Sequence, residues 1–466
     1  MIPNGLVSSR SEILAPNRIA EVCAGRVLRG GEPAGRLVTD SRKLGPGDCF
    51  VALRGERFDG HEFLAQAFEK GAVGAVVSEP VSQALLRSGV FVVRVPNTYA
   101  ALLEMARAYR NKHSAKIVGI TGSCGKTSTK DMLGSVLERV MPTIKSPQSY
   151  NNHIGVPLTL FQLREDTKAA VVEIGTNAPG EIEVLASVVQ PDISIVTRVD
   201  ESHLLRFRTI QGVAVEKAGL VAALREDGLA VINGDDQSSE AFRGVSRARL
   251  QEVRIDHEAD WFATDISFHG LGTSFRLQGE LTVTLPRLGS HNVYNALFTV
   301  AAASELGVPI EDIIEGLCES APSSRRLERK QAGEISLIDD TYNSNPASAR
   351  AALVALTGLP VKGRRLVVIG DMLELGESSE RLHRSLGVEV AHSGVDVLVT
   401  VGEEAADVAD SAVRAGMKAV HHLGDLQEAI DFLVSELRPG DWLLAKASRA
   451  LGLDRLVDGL QDLLGE

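Results

Sequence analysis

Short runs of apolar residues alternate with amphipathic stretches along most of the chain. Residues 49–53 and 74–77 form two such runs, and an amphipathic stretch over residues 61–70 lies between them. An apolar run bounded by turn residues predicts a buried strand, whereas apolar positions at helical spacing predict a helix. A polar-faced helix is predicted over residues 102–112. Residues 1–111 are therefore predicted to form a unit of short strands, turns and helices.

The middle of the chain carries a different pattern. An apolar run over residues 116–120 precedes a glycine-rich loop and a helix predicted over residues 127–140. Further near-continuous apolar runs occupy residues 169–173 and 192–196. Such runs, separated by helical patterns, are typical of a parallel sheet covered on both faces. Residues 261–285 instead alternate apolar and polar positions, which predicts a small antiparallel appendage.

Strand and helix patterns alternate again from about residue 328. The predicted strands there are residues 335–338, 366–370, 397–400 and 442–445. We therefore predict an α/β protein with three domains, over residues 1–111, 112–327 and 328–466. The total length of 466 residues agrees, since a domain has roughly 150 residues. The segment 321–326 is the predicted hinge.

Composition and charge exclude several classes of protein. The 44 glycines and the aromatic content of 4% suit a protein with many strand-to-helix turns. A formal net charge of −12 argues against binding to nucleic acid or to a membrane surface, because both partners favour a basic face. No apolar stretch approaches the roughly 18 residues that a membrane span needs.

The cysteines and the N-terminus predict a cytoplasmic location. Cys23, Cys49, Cys124 and Cys318 are not close neighbours, so they form neither a zinc pattern nor a disulfide framework. The first 15 residues lack the basic segment and apolar core of a secretory signal.

The glycine-rich loop is the first candidate site. It consists of Gly122, Ser123, Cys124, Gly125, Lys126, Thr127 and Ser128. Its glycines let backbone N–H groups point at phosphate oxygens, and the following helix adds its positive N-terminal end. Lys126 can then reach the terminal phosphates, and the Thr127 hydroxyl can bind Mg²⁺. The loop therefore predicts an ATP-using enzyme.

Two features of this loop leave alternatives open. Counted from Gly122, the spacing is one residue shorter than in the common GxxxxGK[ST] pattern, so a glycine turn without a ligand is the alternative. Cys124 stands at a helix N-terminus near Lys126. It is either a reactive thiol of lowered pKa or a small residue whose side chain is turned aside.

Further motifs extend the pattern over nearly the whole chain. They are Asp40-Ser41-Arg42, Asn151-Asn152-His153-Ile154-Gly155-Val156-Pro157, Glu173-Ile174-Gly175-Thr176-Asn177, Asp339-Asp340-Thr341-Tyr342-Asn343-Ser344-Asn345-Pro346 and Gly370-Asp371-Met372-Leu373-Glu374-Leu375-Gly376. With the phosphate loop, they resemble the Mur ligases, which are ATP-dependent amide-forming enzymes of peptidoglycan precursor synthesis. The resemblance implies a small N-terminal α/β domain that binds a UDP-sugar, a central P-loop domain with a parallel sheet, and a C-terminal Rossmann-like domain that binds the incoming dipeptide and closes on ATP.

Within this family the motifs resemble those of the ligase that adds D-alanyl-D-alanine to UDP-N-acetylmuramoyl-tripeptide. The implied reaction transfers the γ-phosphate of ATP to the tripeptide carboxylate, and the dipeptide amine then attacks the acyl phosphate. Because several anions must be brought together, Mg²⁺ and cationic side chains should dominate the site.

The resemblance also implies the residues of a metal site. The implied ligands are Thr127, Glu173, His203 and Lys217, and Lys126, His203 and Lys217 are the implied catalytic residues. Carbamylation of Lys217 by CO₂ would turn a cation that repels Mg²⁺ into an anion that holds it. The structural alternatives are a surface glutamate, a histidine that is not a ligand and an exposed helix lysine.

The remaining implied contacts belong to ATP and to the two substrates. The implied ATP contacts are Asn292, Asn295, Arg326 and Asp340, and the implied substrate contacts are Ser41, Arg42, Asn151, Asn152, Asn343 and Asn345. Of the substrate residues, Ser41 and Arg42 are expected at the uridine diphosphate, and Asn151 and Asn152 nearer the sugar or peptide. Asn343 also matches a contribution to ATP binding, and Asn345 is expected to orient the dipeptide.

Two segments depart from the family pattern. Residues 205–209, Leu-Arg-Phe-Arg-Thr, replace an acidic and glycine-rich stretch, so Arg206 and Arg208 either contact substrate or face solvent. Ala447 replaces a glycine in Lys446-Ala447-Ser448-Arg449.

Three alternative functions remain open at this stage. They are the preceding ligase, which adds a diamino acid, a folate-type ligase, and a binding protein that has kept the fold without catalysis. We find no Asp-Asn-Pro-Arg run of the preceding ligase, and a folate-type ligase should lack the Asp40-Ser41-Arg42 domain. The third residue of the tripeptide, lysine or a diaminopimelate, is left open, and we expect a monomer.

Overall fold

The computed structural model describes residues 12–55, 57–86, 89–269 and 272–465. The prediction about the N-terminus rests mainly on residues 1–11, which lie outside the described residues. The chain divides into two compact units. The first contains residues 1–119, 141–175 and 183–191, and the second contains residues 120–140, 176–182 and 192–466.

The first 111 residues contain short strands, α-helices and 3₁₀ turns. In chain order the strands and α-helices are α1 (Pro16–Val22), β1 (Arg26–Arg29), β2 (Arg36–Val38), β3 (Asp48–Val51), α2 (Leu64–Glu69), β4 (Gly74–Val77), β5 (Phe91–Arg94) and α3 (Thr98–Arg110). The 3₁₀ turns are Glu12–Leu14, Ser41–Lys43, Gly60–Phe63 and Gln83–Leu85.

The middle of the chain carries nine strands and eight helices among its described residues. They are β6 (Lys116–Thr121), α4 (Lys126–Val140), β7 (Thr143–Lys145), α5 (Gly155–Leu160), β8 (Ala169–Glu173), α6 (Glu181–Val189), β9 (Ile193–Val196), α7 (Leu204–Phe207), α8 (Ile210–Ala222), β10 (Leu229–Asn233), α9 (Ser239–Val245), β11 (Arg249–Ile255), β12 (Trp261–His269), β13 (Gly272–Leu277), β14 (Leu281–Leu285), α10 (His291–Glu305) and α11 (Ile310–Glu319).

The last part alternates strands and helices almost throughout. Its elements are β15 (Glu328–Ala332), β16 (Ile335–Asp339), α12 (Pro346–Thr357), β17 (Arg365–Gly370), α13 (Ser379–His392), β18 (Val397–Val401), α14 (Ala406–Arg414), β19 (Val420–Leu423), α15 (Leu426–Glu436), β20 (Trp442–Lys446) and α16 (Asp454–Leu464), with 3₁₀ turns at Gly376–Ser378 and Arg449–Leu451.

The first unit is built on a five-stranded sheet with the order β1-β5-β4-β3-β2. Its pairings are parallel except between β1 and β5. Alternate residues of β3 enter different cores, since Val51 packs in the cluster of Met105 on α3 and Phe50 packs in the cluster of Phe68 on α2. The two strands predicted in this region are confirmed. In the same unit, β7 and β8 pair in parallel.

The third helix begins earlier than the apolar pattern predicts. It starts at Thr98 rather than near residue 102, because the side chain of Asn97 accepts a hydrogen bond from the Ala100 N–H at 3.0 Å. Asparagine at this position satisfies one of the N–H groups that a helix leaves unpaired at its start.

The second unit contains the strand order β14-β13-β12-β11-β10-β9. Strands β9 to β12 pair in parallel, and β12, β13 and β14 pair antiparallel. The antiparallel appendage predicted over residues 261–285 is thereby confirmed. Its first strand also continues the parallel part of the sheet.

The second unit also contains a six-stranded sheet with the order β15-β16-β20-β17-β18-β19. The four predicted strands are β16, β17, β18 and β20, all of them parallel. Alternate residues of β17 face different helices, because Val367 packs in the cluster of Leu353 and Val368 in that of Leu433. The two edge strands were not predicted, since an edge strand is only partly buried and therefore lacks a continuous apolar run.

The α/β class with parallel strands is confirmed, whereas the boundaries of the three domains stay a prediction. Among the described residues, no helix combines the length and the apolar character that crossing a bilayer requires.

Candidate functional site

The glycine loop joins β6 to α4 and curls against the residues that follow β9. Gly122 has φ +149°, and a Cβ on it would lie 1.9 Å from the Thr197 hydroxyl oxygen. Thr197 donates its N–H to the carbonyl of Thr121 at 2.9 Å and its hydroxyl to the carbonyl of Cys124 at 2.5 Å. A side chain at position 122 would therefore push the loop off its support.

The second glycine of the loop lies against α10. Gly125 has φ +86°, and a Cβ there would lie 2.6 Å from the side-chain oxygen of Asn295. That oxygen accepts a hydrogen bond from the Thr129 hydroxyl at 3.1 Å, and the Asn295 amide donates to the Asn292 oxygen at 3.0 Å. Asn292 in turn donates to the carbonyl of Leu288 at 2.8 Å. Both asparagines are buried. Asn295 links α10 to α4, Asn292 is hydrogen-bonded to Asn295, and their contact with adenine stays a prediction.

Ser123 fixes the outer edge of the loop. Its N–H donates to the carbonyl of Arg198 at 2.7 Å, and its hydroxyl accepts from the N–H of Asp200 at 3.0 Å. The Ser202 hydroxyl donates to the Ser123 hydroxyl at 2.8 Å. Residues 197–202 therefore form the support of the loop.

Arg326 meets the loop at the start of α4. The Lys126 ammonium donates to the carbonyl of Gly122 at 2.6 Å, and Arg326 donates through Nη2 to the Thr127 hydroxyl at 3.0 Å. The guanidinium of Arg326 also lies 4.2 Å above the ring of Tyr342. The predicted ATP residues Lys126, Thr127 and Arg326 are thus brought together.

Cys124 is held in its protonated form. Burial raises the pKa of the Cys124 thiol to about 12, and the charge of Asp200 adds to this effect. The thiol lies 3.8 Å from a carboxylate oxygen of Asp200, whose own pKa burial raises to about 6. A thiol of raised pKa is a poor nucleophile. The structure therefore favours the interpretation of Cys124 as a small residue of the loop.

Lys217 on α8 is buried rather than an exposed helix lysine. Only 2% of its surface is exposed. Burial lowers the pKa of the Lys217 ammonium to about 7, and the positive charge of Lys126 lowers it further. An amine of this kind is partly unprotonated near neutral pH, and the unprotonated form reacts with CO₂.

Glu216, which precedes Lys217, anchors α8 to the start of α6. Its carboxylate accepts hydrogen bonds from the N–H groups of Gly180 at 2.7 Å and Ile182 at 2.8 Å, and from the Thr176 hydroxyl at 3.2 Å. A carboxylate at a helix N-terminus satisfies unpaired N–H groups and complements the helix dipole. No local sequence pattern predicts this role, because the partners of Glu216 lie 34 to 40 residues away in the chain.

His203 lies just before α7 in a left-handed conformation with φ +53°. Its Nδ1 is hydrogen-bonded to the carboxylate of Glu374, and this bond lowers the pKa of Glu374. The N–H of Leu205 donates to the carbonyl of Glu374 at 3.1 Å. The motif over residues 370–376 therefore holds the predicted metal ligand in place.

The unusual segment 205–209 continues into α7 and caps α8. Phe207 is buried in the core, whereas Arg206 and Arg208 are exposed to solvent. The Thr209 hydroxyl accepts a hydrogen bond from the Gly212 N–H at 3.0 Å at the start of α8.

Asp340 and Lys446 form a buried ion pair, with Lys446 Nζ 2.6 Å from Asp340 Oδ2. Lys446 also donates to the carbonyl of Asn343 at 3.0 Å, and Asp340 accepts from the N–H of Leu327 at 3.3 Å. Burial raises the pKa of the Asp340 carboxyl, and Lys446 opposes that rise. Asp340 therefore organises the segment next to Arg326, and its contact with ATP stays a prediction.

Asn343 and Asn345, two of the four asparagines predicted to contact substrate, have different surroundings. Asn345 caps α12, because its side-chain oxygen accepts from the Ser348 N–H at 2.8 Å and the Ser348 hydroxyl accepts from the Asn345 N–H at 3.0 Å. Asn343 is exposed. Their roles toward the dipeptide stay predictions.

In the first unit, Glu173 is buried rather than a surface glutamate. It is 1% exposed, and its carboxylate accepts from the Asn151 amide at 2.8 Å. The Glu173 N–H donates to the Ser146 hydroxyl at 3.0 Å. Asn152 instead accepts from the N–H groups of Ile154 at 3.1 Å and Gly155 at 2.9 Å. Asn151 thus orients Glu173, and Asn152 holds the turn that leads into α5.

A cleft of about 820 Å³ also lies in the first unit. It is lined by Arg36, Leu37, Val38, Thr39, Asp40, Lys43, Pro142, Thr143, Ile144, Ser149, Tyr150, Asn152, Ile154, Gly155, Leu158, Phe161, Gln162, Arg164, Asp166 and Thr167. Ser41 and Arg42 are not among the lining residues. The Arg42 guanidinium pairs with Asp40 at 2.9 Å and is largely exposed.

Comparison with known proteins connects these features. The Mur ligase family catalytic domain matches residues 36–110, the Mur ligase middle domain matches residues 120–303, and the Mur ligase glutamate ligase domain matches residues 325–449. The chain is also 34% identical to the UDP-N-acetylmuramoyl-tripeptide–D-alanyl-D-alanine ligase of Bacillus subtilis, over 91% of this chain and 92% of the relative. The chain belongs to the Mur ligase family.

Other members of the Mur ligase family give the same result. The corresponding ligase of Escherichia coli is 35% identical over 91% of this chain and 93% of the relative. A crystal structure of MurF from Acinetobacter baumannii superimposes with a TM-score of 0.88 at 32% identity, covering 96% of this chain and 98% of that one. MurF from Thermotoga maritima, solved in complex with ADP, gives a TM-score of 0.82 at 25% identity, covering 92% and 98%.

The second departure from the Mur ligase pattern has a packing explanation. Ala447 is fully buried, and a Cβ added to Gly370 would lie 2.7 Å from the Cβ of Ala447. The missing side chain at Gly370 therefore leaves the space that Ala447 fills. The neighbouring Ser448 hydroxyl accepts from the Leu373 N–H at 2.9 Å, and its N–H donates to the Asp371 carbonyl at 3.0 Å.

Proposed function

We propose that this Mur ligase uses ATP to join D-alanyl-D-alanine to UDP-N-acetylmuramoyl-tripeptide in cytoplasmic peptidoglycan precursor synthesis. The observation that carries the proposal is similarity along nearly the whole chain to ligases of that name. The retained phosphate loop and the buried Lys217 support catalysis rather than a lapsed binding protein. We also propose that the enzyme acts as a monomer.

In the proposed reaction, the phosphate loop binds and orients ATP. Backbone N–H groups at the start of α4 face the phosphates, and Lys126 and Arg326 supply positive charge where charge develops during transfer. The relative from Thermotoga maritima binds ADP. Phosphoryl transfer depends mainly on such positioning and charge stabilisation.

The burial of Lys217 fits the role of a modified lysine at a Mg²⁺ site. An unmodified ammonium at Lys217 is unfavourable, because it is buried near the charge of Lys126. Carbamylation replaces that cation with an anionic oxygen group of the kind that Mg²⁺ prefers. We therefore propose Thr127, Glu173, His203 and carbamylated Lys217 as the metal ligands. Bound Mg²⁺ would neutralise phosphate charge during acyl phosphate formation.

We propose that the cleft of the first unit binds the UDP end of the tripeptide substrate. Its volume of about 820 Å³ falls in the range of small-molecule sites, roughly 300–1,000 Å³. Arg36, Lys43 and Arg164 supply cationic groups at its lining for an anionic diphosphate. Asn152 also lines this cleft, which supports its proposed role in substrate binding.

The proposed function is tested by coupled phosphate release. With ATP, Mg²⁺ and UDP-N-acetylmuramoyl-tripeptide, phosphate should appear only when D-alanyl-D-alanine is added. Parallel assays with lysine and with diaminopimelate at the third peptide position would determine the acceptor. Phosphate release that requires a diamino acid and the UDP-linked dipeptide, in place of D-alanyl-D-alanine and the UDP-linked tripeptide, would identify the preceding ligase. Phosphate release without any added amino acid or D-alanyl-D-alanine would contradict the proposal.

A further inference from the structure

The segment over residues 320–327 lies along the first turns of α4. The Ser323 hydroxyl donates to Asp131 Oδ2 at 2.6 Å, and Arg326 Nη2 donates to the Thr127 hydroxyl at 3.0 Å. Thr127 and Asp131 are four residues apart and therefore lie on the same face of the helix. The segment is thus attached to one face of α4 at two points.

The backbone around Arg326 is held in an unfavourable conformation. Arg325 has φ +57° and Leu327 has φ +51°, and the Arg326 N–H donates to the Ser323 carbonyl at 3.2 Å. Non-glycine residues in the left-handed region cost free energy and persist only where surrounding contacts determine them. The direction of the Arg326 side chain therefore depends on what holds this turn.

Arg287, just after β14, holds the other side of the turn. Its guanidinium is buried, and it donates to the carbonyl of Ala321 and, at 3.4 Å, to the Ser323 hydroxyl. Burial lowers the pKa of Arg287 to about 10, and the charge of Asp131 opposes this effect. A buried cation requires a partner anion. Ser323 thus connects the cation of Arg287 to the carboxylate of Asp131.

We infer that Arg287, Ser323 and Asp131 are positioning residues that direct Arg326 toward Thr127 and the terminal phosphates of ATP. None of the three is proposed to contact the nucleotide itself, and their effect passes through Arg326. This inference rests on the proposed function, in which the phosphate loop binds ATP.

Neighbouring serines provide a matched test. Ser324 is exposed, and its hydroxyl donates to Glu328 at 3.2 Å rather than to α4. Ser323→Ala should lower kcat/KM for ATP about tenfold, the scale expected for losing a hydrogen bond to a charged group, and leave KM for the UDP-substrate unchanged. Ser324→Ala should match the wild type. Equal kinetics for the two variants would overturn the inference.

A second measurement separates positioning from folding and from the ligase reaction. Binding of a non-hydrolysable ATP analogue is measured for the wild type, Ser323→Ala, Arg326→Lys and the double variant, below the melting temperature of each. If Ser323 acts through Arg326, the double variant should bind no more weakly than Arg326→Lys alone. Additive losses would overturn the inference. Analogue binding without any phosphate release would instead contradict the proposed function.

Discussion

His203 and Glu374 lie 171 residues apart in the chain, and a hydrogen bond joins the imidazole Nδ1 to the carboxylate. The bond at one ring nitrogen sets which nitrogen is available to a metal, and such supporting carboxylates orient metal-binding histidines. Both residues of this contact have left-handed backbone conformations, with φ +53° at His203 and φ +67° at Glu374. The motif over residues 370–376 therefore adopts an unfavourable backbone conformation at the residue that holds His203. Glu374 therefore belongs to the proposed site although it was predicted only as part of a family motif.

Glu374→Ala should weaken the use of Mg²⁺. Loss of a supporting partner of a metal-binding histidine typically costs about 10- to 100-fold in affinity or activity. We expect the Mg²⁺ concentration for half-maximal phosphate release to rise by about that factor. Glu377→Ala is the control, because Glu377 is a nearby acidic residue in the 3₁₀ turn that follows the motif. Equal Mg²⁺ requirements in the two variants would show that Glu374 does not support the metal site.

Gly125→Ala should weaken nucleotide binding and also lower the stability of the protein to thermal unfolding. The substitution forces φ +86° on alanine and places Cβ 2.6 Å from the Asn295 oxygen. Gly279→Ala is a matched control, because Gly279 has φ +71° but no atom within 4 Å of its Cβ position. The control should show only the backbone cost of about 1–2 kcal/mol in thermal unfolding. Similar losses in both variants would indicate that the contact with Asn295 has no effect of its own.

The sequence predicts those parts of the fold and site that depend on local pattern. Buried strands such as β4 and β17 are continuous apolar runs, and the phosphate loop needs glycines at set positions, so both can be recognised in a single sequence. Glu216 shows the limit. It looks like one more charged residue on a helix, and its partners at the start of α6 are brought near only by the fold.

The burial of polar side chains is a second property that the sequence does not reveal. The sequence pattern around Lys217 does not show whether this helix lysine is exposed or buried, because α8 carries apolar residues on more than one side. The resemblance implies that Asn292 and Asn295 contact adenine, which stays a prediction, and the structure shows that Asn295 is hydrogen-bonded to α4 and to Asn292.

Lys217→Ala should lose most of the phosphate release that depends on D-alanyl-D-alanine. The variant lacks the amine that carries the proposed carbamate, and added short-chain carboxylic acids should partly restore activity by supplying an equivalent anion. The measurement is the rate of phosphate release with and without acid. Lys130→Ala serves as the control, since Lys130 is equally buried on α4 but pairs with Asp131 at 3.1 Å. Rescue of both variants, or full activity of Lys217→Ala, would remove Lys217 from the mechanism.

Lys446→Met should destabilise the second unit, because it leaves the buried carboxylate of Asp340 without its cation. Breaking a buried pair from one side costs about 3–5 kcal/mol, whereas replacing both members by apolar residues is often close to neutral. We therefore expect a large loss of unfolding free energy in denaturant for Lys446→Met and a smaller loss for Lys446→Met combined with Asp340→Leu. Arg449→Met is the control, since Arg449 is exposed and its ion pair with Asp454 at 3.1 Å should contribute little. If the double variant were less stable than Lys446→Met, the cost would come from lost packing at position 340 rather than from an unpaired charge.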